Sequence, residues 1–247
     1  MMPRIVARLD VKGPRVVKGV SMQGERPVGD PHDLARSYYA DGADELLYVD
    51  TYASLVGRNA LAPIIGRACS DVFVPIVVAG GIRTMEDIRA ALLAGADRVA
   101  VNTQAVRDPT FPMAAALAYG ASTVVLLVDA VRSGTTWHAL TEYGREDSGI
   151  DAIEWAYKLA PFVGEVCVTS VDRDGRMQGP DVGLVDALRD LPCPLTYGGG
   201  VRHAADADAV LYAGADAVAV GAALHFGRTT IGGIKDGLTT LGRRVRR

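Results

Sequence analysis

The sequence predicts one (β/α)8 barrel, an α/β fold assembled from two homologous half-barrels of roughly residues 1–120 and 121–247, and three observations predict it. The stretch "VAGGIRTMEDIRAALLAGADRVAVNT" at 78–103 has a near copy, "YGGGVRHAADADAVLYAGADAVAVGA", at 197–222, in step and without a gap. Eight short apolar runs suit strands buried on both faces. Helix-like segments separate them, and strict alternation of strand and helix calls for a parallel sheet.

In chain order the expected strands are "RIVARLD", "ELLYVD", "VPIVVA", "RVAVN", "STVVLLVD", "EVCVTS", "CPLTY" and "AVAVG". The first helix starts at Asp30, an N-cap type followed by Pro31 at N1, and stops at Gly42. Another starts with Thr84 and Asp87, a variant capping box, and ends at Gly95. Residues 10–30 are too long and too rich in glycine and charge for an ordinary βα turn. They read as a mobile lid, with Lys18 able to reach a substrate anion.

A length of 247 residues, 49% of them hydrophobic, fits one domain of this kind. The 26 basic and 29 acidic residues leave no overall attraction for nucleic acid or an anionic membrane, and the basic tail "GRRVRR" reads as a solvated end. Cys69, Cys167 and Cys193 have neither metal-site spacing nor an even count, so buried thiols in a reducing cytoplasm are expected. No apolar run reaches the roughly 18 residues of a membrane span, and no secretory pattern opens the chain.

The repeat also maps Asp10, ending the first strand, onto Asp129, ending the fifth. In a barrel, residues at C-terminal strand ends carry chemistry, and two carboxylates facing each other across the mouth suit general acid and base catalysis. Either could instead cap a loop or pair with Lys12 or Lys18. The repeated turns Gly80-Gly81 and Gly199-Gly200 sit between a strand and a helix, where bare backbone N–H groups can cradle an anion. Asn102-Thr103 and Gly221-Ala222 end the following strands and could complete the cradles. One such turn says little, because tight βα turns need glycine anyway. Two in register suggest two cradles for the two phosphates of one elongated substrate. Asp50, Asp172, Asp174 and Asp181 lie on the same rim, but His32, His138, His203 and His225 show no ligand spacing, so neither metal nor cofactor is expected.

The motifs "RLDVKGPRVVKG", "GADELLYVD", "GGIR", "AGADRVAVNT", "TSVDRDG" and "AGADAVAVGAALHF" resemble, in order and over nearly the whole chain, the cyclase subunits of imidazole glycerol phosphate synthase. The resemblance implies a lyase of histidine biosynthesis. It would add ammonia to phosphoribulosylformimino-aminoimidazole carboxamide ribonucleotide, giving imidazole glycerol phosphate and aminoimidazole carboxamide ribonucleotide (AICAR). It also implies roles. Asp10 and Asp129 become the acid/base pair, with Lys18 on the closing loop. Gly81, Asn102 and Thr103 form one phosphate site; Asp174, Gly175, Gly200, Gly221 and Ala222 form the other; Asp50, Thr169 and Ser170 face substrate. No cysteine here has the Gly-x-Cys-x-Gly surroundings of a glutaminase nucleophile. A separate glutaminase subunit, docked at the barrel floor, is therefore the implied ammonia source. Arg4, Glu45, Arg98 and Glu165 match the ring that gates ammonia entry, a lysine being usual at the third position. A salt-bridged floor is an equally good reason for these four.

The chain departs from that pattern at Arg8, where cysteine is usual, at "KGPR", at Gly198 and at Ala222, the latter two replacing serines. Strand alternation puts Arg8 on the face of Arg4, Val6 and Asp10, so an inward guanidinium needs an acidic partner, Asp10 or Asp50. These departures keep three other readings open. One is a paralogue that works with a glutaminase-like partner on a sugar in surface-polysaccharide biosynthesis. Another is a non-catalytic phosphate-binding scaffold, and the third is the related isomerase, which needs no ammonia gate.

Overall fold

The computed structural model describes residues 2–53 and 60–246. Strand β1 (Arg4–Lys12) runs into an antiparallel hairpin, β2 (Arg15–Val20) and β3 (Gln23–Gly29), before the chain returns through a helix to β4 (Glu45–Asp50). Next come β5 (Ile76–Ala79), β6 (Arg98–Val101) and β7 (Val124–Ser133), and β7 runs into a second hairpin, β8 (Thr136–Thr141) and β9 (Glu146–Asp151). Strands β10 (Glu165–Ser170), β11 (Leu195–Gly198) and β12 (Ala217–Val220) complete the set.

Eight of these strands, β1, β4, β5, β6, β7, β10, β11 and β12, pair in parallel in that order, and β12 returns to β1 to close a barrel. All eight expected runs are barrel strands. Closure leaves no barrel edge, so apolar side chains can fill both faces of every strand. Outward residues such as Ile5, Leu46, Val78 and Leu126 pack under the helices. Inward residues such as Val6, Leu47, Val77, Val125 and Cys167 fill the lumen as a separate cluster.

Helix boundaries follow the local signals. Asp30 accepts from the His32 and Asp33 N–H groups and starts the helix Pro31–Ala40. Thr84 and Asp87 form a reciprocal capping box on Met85–Leu93. The 10–30 stretch departs from the expected lid: residues 15–29 form a strand ladder, with the Lys18 side chain turned inward and buried. The basic tail is not wholly solvated either, since Arg243 pairs with Asp208 and Val245 packs on the core.

The two hairpin tips meet over the lumen. Ser21, Met22, Glu142 and Tyr143 all adopt left-handed φ, the geometry of tight hairpin turns, which costs non-glycine residues strain unless packing holds them. Met22 and Tyr143 are buried in the lumen cluster, and a Cβ at Gly144 would lie 2.9 Å from the Met22 sulfur. One hairpin thus seats the tip of the other.

Candidate active site

Period-2 alternation along β1 sends Arg4, Val6, Arg8 and Asp10 into the lumen from floor to mouth. At the floor, Arg4, Glu45, Arg98 and Glu165 are each the first residue of a barrel strand. They close a ring. Arg4 donates to Glu45 and Glu165 at 2.9 Å each, and Arg98 bonds both glutamates in turn. Thr196 donates to Glu165 beside them.

At the mouth, Asp10 is fully buried and doubly paired. Arg8 Nε reaches Asp10 Oδ1 at 2.8 Å, while Lys18 Nζ reaches Asp10 Oδ2 at 2.7 Å and Asp174 Oδ1 at 2.8 Å. Of the two partners expected for Arg8, Asp10 is the one the structure selects. Asp50 is occupied otherwise, because its oxygens accept from the Tyr52, Ala53 and Ala60 N–H groups. Burial alone would push the Asp10 carboxyl up, but the two adjacent cations overcome it and hold Asp10 well below the ordinary carboxylate range.

Asp129 has the opposite environment. It is 2% exposed, its Oδ2 accepts from Asn102 Nδ2 at 3.0 Å, and its Oδ1 has no protein partner among the described residues. Burial dominates here, with the Asp10 and Asp174 charges adding and Arg8 opposing, and the carboxyl is pushed up to about 6. Two carboxylates on strands β1 and β7 are thus driven apart in proton affinity, the condition for dividing acid and base work between them.

Two cavities flank this pair. The first is lined by Gly80, Gly81, Asn102 and Thr103, with Asp50 and Asp129. Gly80 and Gly81 have φ of +90° and +70°, and a Cβ on Gly80 would collide with the Asp50 carbonyl oxygen at 2.3 Å. The second cavity is lined by Asp174, Gly175, Gly200, Gly221 and Ala222, with Arg8. Here too glycine is obligatory, since a Cβ on Gly200 would lie 2.3 Å from the Gly179 carbonyl oxygen and one on Gly175 would lie 2.0 Å from that of Gly19. The expected carboxylates and cradle residues therefore converge on one rim, while the four expected gate residues lie at the floor. Thr169 accepts from Arg8 Nη1 at 2.8 Å, and Ser170 is buried next to it, against Tyr197.

Sequence reasoning missed Tyr143, which lines the first cavity and whose buried hydroxyl is likewise unpartnered among the described residues. The alternation in "TWHALTEYGREDSGID", broken by a turn at glycine, is the hairpin signal that would have placed it at a tip. Arg107, on the same cavity and paired with Glu142 at 2.7 Å, carried no signal of its own.

A family model described as histidine biosynthesis protein matches residues 4–230. The imidazole glycerol phosphate synthase subunit HisF of Myxococcus xanthus is 44% identical over 98% of this chain and 97% of its own length. Subunits of the same name from Legionella pneumophila and Bifidobacterium adolescentis are 43% and 39% identical, covering 80% and 98% of this chain and 95% and 98% of theirs. A closed barrel with paired carboxylates between two glycine cradles, matched by relatives across nearly its whole length, belongs to the histidine biosynthesis protein family.

Proposed function

We propose that the chain is the cyclase subunit of imidazole glycerol phosphate synthase, a lyase of histidine biosynthesis that uses ammonia. One observation carries the reading: two buried carboxylates with opposite proton affinities lie between two glycine cradles on one barrel rim. The cradles hold the two phosphates of the formimino substrate through backbone N–H groups, aided by Thr103 in the first. Ala222 contributes no hydroxyl to the second. Asp10 and Asp129 move protons as ammonia condenses with the ribulosyl ketone, losing water, and the substrate divides into imidazole glycerol phosphate and AICAR.

Ammonia comes from a glutaminase partner. The thiols support this division, because burial pushes Cys167 up to about 12 and Cys193 up to about 11, and a protonated thiol is no nucleophile at neutral pH. The partner docks at the floor, where the Arg4, Glu45, Arg98 and Glu165 ring controls entry to the lumen. On this reading the chain works in the cytoplasm as half of a heterodimer.

Turnover of the formimino substrate by the purified chain in high ammonium salt at alkaline pH tests the reading without any partner. Release of imidazole glycerol phosphate, abolished in Asp10→Asn and Asp129→Asn, is the expected result. Arg8 inside the lumen favours one second reading, a paralogue that delivers ammonia to a sugar in surface-polysaccharide biosynthesis. A folded chain inert toward the formimino substrate would move the assignment there.

A further inference from the structure

Arg8 is the feature that the fold alone does not require. A guanidinium in a barrel lumen is costly unless it is paired and hydrogen-bonded; here Nε and Nη1 have partners and Nη2 has none among the described residues. The chain has made room for it. Strands β11 and β12 lie between β1 and β10, and at the level of Thr169 they present Gly198 and Ala219 inward, in register with each other. Arg8 reaches past these small residues to donate to Thr169 on β10 at 2.8 Å, while its Nε holds Asp10. Residue 8 is 3% exposed, so no water layer screens the Arg8–Asp10 pair.

We propose that Arg8 is a positioning residue that fixes the direction of proton transfer: it keeps Asp10 ionised as the base and leaves Asp129 to carry the proton as the acid. The inference rests on the reading of these two aspartates as an acid/base pair. The groups facing Asp10 account for the asymmetry. Arg8 on β1 and Lys18 on β2 touch it directly, and Asp174, after β10, shares Lys18. Asp129 on β7 and Tyr143 at the second hairpin tip face the same cluster, and burial keeps the Tyr143 hydroxyl protonated. His225, behind Lys18, is driven down to about 4 by burial and is neutral at working pH. Lys18 is divided between two carboxylates, whereas Asp10 is the one carboxylate that Arg8 pairs with among the described residues. Asp129 touches no cation directly among the described residues, and Asn102 can hydrogen-bond either of its protonation states.

The test is a carboxyl-carbon NMR titration of aspartate-labelled protein without substrate, in wild type, Arg8→Met and Arg8→Lys, paired with the pH profile of ammonia-dependent turnover per free ammonia. Arg8→Met should raise the Asp10 titration by about one to three pH units, the usual effect of losing an adjacent opposite charge. Its acid limb of turnover should rise by the same interval, and Arg8→Lys should restore both. An Asp10 titration unmoved in folded Arg8→Met would overturn the proposal, as would a rise in Arg8→Lys equal to that in Arg8→Met, because packing rather than charge would then be the cause. If Arg8→Met does not fold, Arg8→Gln keeps a donor near Thr169 without the charge and takes its place. Absence of wild-type turnover would sink the cyclase reading while the titration still judged the role of Arg8.

Discussion

The floor and the mouth of the barrel each hold two cations and two carboxylates at close range, yet they behave differently. At the floor every charge is matched: Arg4 and Arg98 alternate with Glu45 and Glu165, and each side chain touches two of the opposite sign. At the mouth Arg8, Lys18, Asp10 and Asp174 form a similar neutral set, but a fifth group, Asp129, lies beside them without a cation of its own. A balanced set has no proton to give. The surplus carboxylate, its proton affinity raised by burial, is what would give the mouth a proton to move in the proposed cyclase.

The largest effect expected from this contrast is on rate. Asp10→Asn and Asp129→Asn should each lower ammonia-dependent turnover by about 10²- to 10⁴-fold, measured at saturating substrate with a folded variant. Retention of wild-type rate by either would remove the functional distinction between the two ends.

Breaking the floor should instead cost stability. Glu165→Gln leaves Arg4 and Arg98 sharing Glu45 alone, and unfolding in urea should show a loss of about 3 kcal/mol, the low end for a buried pair because both arginines keep some contact with water. A comparable figure with the opposite sign is expected at the mouth. The Asp129 carboxyl is raised from 3.8 to about 6, so ionising it in the folded state costs about 3 kcal/mol above pH 6. The folded form holds the proton more tightly than the unfolded chain. Stability from this group is therefore complete below pH 3.8 and lost as pH rises through about 6. Asp129→Asn should stabilise the protein by about that amount at pH 8 and by almost nothing at pH 4, as thermal unfolding at the two pH values would show.

The smallest change sharpens the contrast. Arg98→Lys keeps the floor neutral but gives up a guanidinium that bridges two carboxylates, so a loss of about 1 kcal/mol in urea unfolding is expected.

Much of this was legible before any coordinates. The repeat, the eight apolar runs and the caps at Asp30 and Thr84 give the barrel and its helices, because each is a local pattern with one physical solution. Gly80, Gly81, Gly199 and Gly200 marked the cradles for a similar reason: their backbone conformation excludes side chains. The hairpin over residues 15–29 was not legible, since its strands are short, charged and rich in glycine, and a contact with the second hairpin holds its tip in place. Nor could the sequence choose between Asp10 and Asp50 as the partner of Arg8. That choice depends on backbone N–H groups at residues 52, 53 and 60 claiming Asp50 first.

The seat of Met22 against Gly144 bears on how interchangeable the two halves of such a barrel are. Each half carries its own carboxylate, cradle and hairpin, which invites the exchange of one half for that of a relative. The tips, however, fit as a pair. An imported second half with any side chain at the position of Gly144 would take on a left-handed φ of +73° and push the end of the Met22 side chain aside, so grafts between relatives must match at two turns as well as along the strands.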